Sequence, residues 1–150
     1  MKKSKDFIRH YDNIMSPEIC NAILDECKSL SFEALTRETP DGNYLTKERK
    51  CHGAPLPKQF ENDMFESVGK ILVKYSQDIK EFNMNNIQDT GYEILHYKSN
   101  EKGDFLFFDD QYKAPKKQGG AIVFPSNFCY PHRVSPVIKN DRYSIITWIH

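Results

Sequence analysis

Five histidines, 21 acidic residues, four cysteines and a few arginines are the groups in this 150-residue chain that could do chemistry. Histidines and carboxylates gathered on one face hold divalent metals and leave the other positions open. An arginine in a dry pocket grips a carboxylate with a planar, two-pronged fork that stays charged. An H-x-D spacing occurs at His10-Tyr11-Asp12. About 0.7 matches to H-x-[DE] are expected by chance at this composition, so the spacing alone decides nothing. Its plain reading is a strand leading into an Asp12-Asn13 turn. His132, taken alone, reads as a core histidine bonded to backbone, and Arg142 as a surface arginine beside the Lys139-Asn140-Asp141 turn. His52 and His96 have no partner at a telling spacing and read as structural. No Ser-His-Asp set, glycine-rich phosphate loop or paired-carboxylate pattern stands out. Cys20, Cys27, Cys51 and Cys129 form no C-x-x-C pair. Seven residues apart on one helix, Cys20 and Cys27 read as reduced core residues, which places the protein in a reducing cytoplasm.

The elements that must position these groups follow from pattern. Phe7 to Met15 reads as an entering strand. Ser16-Pro17-Glu18 is a helix start, with a serine cap, a proline at the first helical position and an acid in the first turn. Ile19, Cys20, Ile23, Leu24 and Cys27 continue it as an apolar stripe. Residues 36–59 are polar and broken by prolines and glycines, a loop region with room for one short strand. A second helix begins near Lys58 and ends near Phe82, striped by Phe60, Met64, Val68, Ile71, Leu72, Tyr75 and Ile79. The second half alternates and is rich in β-formers. Strands are expected at Gly91–Lys98, Phe105–Phe108, Ala121–Phe124, Tyr130–Ile138 and Tyr143–Ile149. Trp148 and the cluster Phe105, Phe107 and Phe108 read as core, and Asp109 and Asp110 as a solvated loop. Helices first and strands afterwards make an α+β domain, 1–150, with a helical part to about residue 88 and a β part from about 89. A formal net charge of zero gives a nucleic-acid backbone nothing to hold. No stretch approaches the ~20 apolar residues of a membrane span, and the lysines at the start precede no apolar run, so no signal peptide is expected.

Residues 119–150 run from Gly119-Gly120-Ala121-Ile122-Val123-Phe124-Pro125 through Tyr130-Pro131-His132-Arg133-Val134 to Arg142-Tyr143-Ser144. This stretch resembles the end of an iron(II)/2-oxoglutarate dioxygenase of the prolyl-4-hydroxylase type, in its compact bacterial and phage form. Asp12-Asn13 leading to Ser16, and Gly91-Tyr92-Glu93-Ile94-Leu95-His96-Tyr97, fit the same family's opening segments. The resemblance implies N-terminal helices packed on a double-stranded β-helix, or jelly roll. It implies His132 as the distal iron ligand, Arg142 as the holder of the far carboxylate of 2-oxoglutarate, and Ser144 and Tyr97 as further cofactor contacts. It implies Fe(II) and 2-oxoglutarate as cofactors, with ascorbate as a possible third. The implied substrate is a peptidyl, prolyl-like or small-molecule C–H bond, and the implied location a cytoplasm, that of the host if the chain is viral. The family's other two ligands form an H-x-D motif just beyond the position of Tyr97, and no histidine stands there in this chain. In one alignment Phe108 replaces that histidine and Asp110 keeps the carboxylate. In the other, Gly103-Asp104-Phe105 matches a later family segment and the ligand strand is deleted, leaving the jelly roll incomplete. The second suits the spacing to His132. No catalytic residue is assigned beyond these. An active hydroxylase, an inactive binding member and a deleted gene product stay open. A missing strand also leads one to expect Phe105–Phe108 poorly covered or covered by a partner, with self-association through an open sheet edge.

Overall fold

The computed structural model describes residues 3–35, 37–39, 42–44, 51–98, 103–135 and 140–150, the two short segments 37–39 and 42–44 by their backbone alone. A 3-10 turn, Ser4–Phe7, opens the described chain, followed by β1 (Arg9–Tyr11) and α1 (Pro17–Cys27). The expected strand over Phe7–Met15 is thus only three residues long. It ends where Asn13 takes a positive φ of 55°. Ser16 caps α1 as its type and place predict, its Oγ accepting from Ile19 N at 3.3 Å. Tight backbone packing fixes this corner. Ile14 N and Met15 N donate to the Gly119 carbonyl at 2.8 and 3.1 Å, and Gly119, at φ +70°, lies so close to the Met15 carbonyl that a Cβ would collide with it.

The loop region holds more strand than its composition suggests: β2 (Glu33–Ala34), β3 (Arg37–Thr39), β4 (Gly42–Tyr44) and β5 (His52–Pro55). A 3-10 turn at Lys58–Phe60 leads into α2 (Glu61–Asp78), close to the expected bounds. The later strands are β6 (Glu93–Tyr97), β7 (Phe105–Phe107), β8 (Tyr112–Lys113), β9 (Ala121–Val123), β10 (His132–Val134) and β11 (Arg142–Ile146). Part of the expected strand Tyr130–Ile138, residues 136–138, lies outside the described residues.

All pairing is antiparallel. β11-β6-β5-β2 form a four-stranded sheet and β10-β7-β8 a three-stranded one, while β1 pairs with β9 and β3 with β4. One core joins α1 and α2 to one face of the larger sheet, through Ile23, Cys27, Met64, Val68, Leu72 and Ile94, with Tyr143 and Ile145 packed on it. The second core is aromatic and sits on the smaller sheet: Ile8, Phe107, Ala114 and Tyr130, ringed by Phe105, Phe108, Ile122 and Phe124.

Two expectations fail. Phe107 is 0% exposed rather than uncovered, because β1 brings Ile8 over it. Trp148 is 49% exposed rather than core. Its backbone is tied to Thr90, Trp148 N to Thr90 Oγ1 at 3.2 Å and Thr90 N to the Trp148 carbonyl at 3.1 Å, past the end of β11, and its side chain lines a surface cavity with Glu93 and Ile146. The cysteines of the described structure are free, with Cys27 and Cys51 buried, Cys20 half-buried and Cys129 exposed. No described helix is long and apolar enough to cross a membrane.

Candidate functional site

Register decides which predicted residues meet. Arg142 lies directly across from Tyr97, and Ser144 across from Leu95. Side chains of cross-strand partners share a face, and so do residues two apart along a strand. Arg142, Tyr97 and Ser144 therefore stand together on one face of the large sheet, the face turned away from the helices. The opposite face carries Tyr143, Ile145, Ile94 and His96. There His96 is buried, stacked on Tyr143 at 4.4 Å, edge-on to Phe32, and bonded through Nε2 to Asp141 Oδ2 at 2.8 Å. The sequence showed no partner for His96, because Asp141 meets it only across the β6–β11 ladder.

Arg142 is half-buried. Its Nη1 donates to the Gly103 carbonyl and its guanidinium carbon lies 5.8 Å from the Tyr97 ring centre. Desolvation lowers its pKa, opposed by Tyr97 and Asp104. Its remaining N–H groups have no protein acceptor among the described residues. Asp104 does not supply one: its two oxygens are taken by Lys113 at 2.7 Å and Lys116 at 2.6 Å, and these lysines hold its pKa down at about 2. The result is a partly dehydrated, under-satisfied cation, with two more positive charges nearby and one carboxylate already neutralised. Such a setting suits an incoming carboxylate.

His132 stands apart from this group, on β10 of the smaller sheet. Its ring packs against Phe105 and Phe124, both at 5.1 Å, and Phe107 at 5.7 Å. Nδ1 bonds the Tyr130 carbonyl at 2.9 Å. An imidazole nitrogen facing a carbonyl must carry a proton, so in the neutral ring the lone pair is on Nε2, the tautomer a metal ligand needs. Among the described residues the rest of an iron site is not found. Of the other histidines, His10 bonds Tyr112 Oη at 2.7 Å, His96 bonds Asp141, His52 lies across from His96 on β5, and the backbone of His150 pairs with that of Gln88. Asp12 of the H-x-D spacing pairs with Lys117 at 3.1 Å, and no third ligand is grouped with it and His10 among the described residues. Phe108 packs on Tyr130, and the Asp110 carboxylate is gripped by Arg133 through Nε, at 2.8 Å, and Nη2. Arg133 and its neighbour His132 point to opposite sides of β10, so Asp110 is on the wrong side to share a metal with His132. Among the described residues no three His, Cys, Asp or Glu side chains are grouped to hold a metal ion. The residues fit a carboxylate at Arg142 and do not fit iron at His132.

What links the two predicted anchors is a segment the sequence did not mark as functional. Gly103 meets Arg142, Asp104 exchanges two hydrogen bonds with Ser135 (N to Oγ at 2.9 Å, and Ser135 N to its carbonyl at 2.6 Å), and Phe105 stacks on His132. The signal was the Gly103-Asp104-Phe105 triplet itself.

The sequence model of the 2OG-Fe(II) oxygenase superfamily matches residues 72–150, more than half of the chain. The chain belongs to this superfamily. Among solved structures, that of a viral collagen prolyl hydroxylase from Paramecium Bursaria Chlorella virus-1, in its 2OG complex, is similar with a TM-score of 0.66. The match covers 95% of this chain and 94% of that one at 12% identity, and so shows the oxygenase fold. No curated protein sequence matches. Within this oxygenase fold the match spans α2's end, β6 and every later strand, so both Arg142 and His132 lie inside it.

Proposed function

We propose that this chain is a carboxylate-binding member of the 2OG-Fe(II) oxygenase superfamily that does not hydroxylate. Arg142 would hold a carboxylate of 2-oxoglutarate or a related dicarboxylate, with Tyr97 and Ser144 beside it. The observation that carries the reading is the contrast between two side chains. Among the described residues Arg142 is a half-buried cation with donors to spare, whereas His132 is an exposed imidazole flanked by three phenylalanines with no second ligand beside it. One imidazole cannot hold iron(II) against water and buffer.

A second reading is favoured by the family and by the open Nε2 of His132: an active oxygenase acting on a peptidyl or small-molecule C–H bond, as the similar viral structure's name states for collagen prolyl residues. One experiment separates the two. Titration calorimetry with 2-oxoglutarate, without added metal, should give saturable binding that Arg142→Ala weakens on the order of 10–100-fold, the range for losing a charge-assisted bidentate contact. Incubation with iron(II), 2-oxoglutarate and air should release no succinate above a protein-free control. Iron-dependent succinate release that His132→Ala abolishes would replace the first reading by the second. Absence of any 2-oxoglutarate binding would remove the first.

A further inference from the structure

We propose that the far end of this sheet face is a binding site for an organic cation, the lysine or arginine side chain of a peptide. A cavity of about 290 Å³ opens there, lined by Pro55, Tyr92, Glu93, Ile146 and Trp148 together with the Thr90-Gly91 backbone turn. Glu93 is half-buried and makes no hydrogen bond or ion pair with any described residue. Its carboxylate is deliberately housed by the backbone of the next strand: a Cβ on Gly53 would collide with Glu93 Oε1. No lysine or arginine lines the cavity. Glu33, across from Gly53 on β2, adds a second carboxylate to the same face. Among the described residues no cation meets the Glu93 carboxylate, which leaves it to a cation entering the cavity, and Trp148 supplies the aromatic surface on which an ammonium or guanidinium gains further attraction. Trp148 is held in place by its two backbone bonds to Thr90.

This site stands on different residues from the carboxylate site. Glu93 and Arg142 share the face but lie at opposite ends of the β6–β11 ladder, Ile146 pairing with Glu93 and Arg142 with Tyr97. Four residues of strand separate them, roughly 13 Å.

Trp148 is the one tryptophan of the chain, so its fluorescence reports the site directly. Titration with N-acetyl-lysine methylamide should change the emission saturably, and N-acetyl-norleucine methylamide, which keeps the carbon chain and lacks the charge, should bind at least tenfold more weakly. Glu93→Gln should weaken the lysine amide at least tenfold, and far-ultraviolet circular dichroism should show the variant folded. Arg142→Ala should leave the lysine amide response unchanged, which keeps this test separate from that of the carboxylate site. Equal responses to the two amides, no response to either, or indifference to Glu93→Gln would overturn the proposal.

Discussion

At the scale of single residues, the two anchors that the motif pointed to, His132 and Arg142, are both found on strands, but on different sheets and in unlike surroundings. A residue type and a spacing show where a group sits along a strand. They do not show what faces it, because those neighbours come from other strands. The three phenylalanines around His132 come from residues 105, 107 and 124. Asp104 shows the same limit, since its partners Lys113 and Lys116 follow a chain reversal. Its behaviour with pH is predictable. The folded carboxyl has a pKa of about 2 against 3.8 for the ordinary group, so the unfolded chain binds its proton first. Its contribution to stability is therefore fully present above pH 3.8 and is lost as the pH falls toward 2. Urea midpoints measured from pH 6 down to pH 2 should fall for the wild type across that window and fall less for Asp104→Asn. Parallel curves would show that the two lysine contacts are too solvated to matter.

At the scale of elements, the helices and the apolar strands β6, β7, β9 and β11 were legible, and the short polar strands were not. Both helices declare themselves locally. Ser16 and Pro17 fix where α1 begins, and an apolar stripe from Met64 to Tyr75 fixes the buried side of α2. Strands of two or three residues such as β2, β3 and β8 have too few positions to show a period of two. Their existence depends on a partner strand distant in sequence. The order of substitution costs should reflect this. Ser16→Ala removes one local cap and should cost about 1 kcal/mol. Ile94→Ala, on β6 and fully buried between the large sheet and the helices, should cost about 2–5 kcal/mol, because a cavity opens where two layers meet. Chemical denaturation of the two variants checks the order, and a larger loss for Ser16→Ala would mean that α1 rather than the sheet core limits stability.

At the scale of the whole molecule, the chain has two cores where a complete double-stranded β-helix would enclose one cavity. The first ties helices to the large sheet and the second is the aromatic cluster on the small sheet. Among the ties that join them are Arg142 to Gly103, Tyr75 Oη to the Phe7 carbonyl at 2.9 Å, Tyr11 Oη to Asp78 Oδ2 at 2.8 Å and Gln118 Nε2 to Asn21 Oδ1 at 2.9 Å. The sequence pattern led one to expect Phe105–Phe108 open to a partner. In the structure the N-terminal segment does the covering, with Phe7 and Ile8 lying against the cluster. The pattern could not reveal this because Ile8 and Phe107 are almost a hundred residues apart. Ile8 is thus the residue on which the seal of the second core depends. Ile8→Ala should cost about 2–5 kcal/mol. Because it exposes aromatic surface beside the edge strands β8 and β10, it should also raise binding of a hydrophobic dye and give oligomers in light scattering. Leu24→Ala, on the outer side of α1 and already partly exposed, is the control and should do neither. A monomeric, dye-silent Ile8→Ala would mean that other parts of the chain close over Phe107 when Ile8 is truncated.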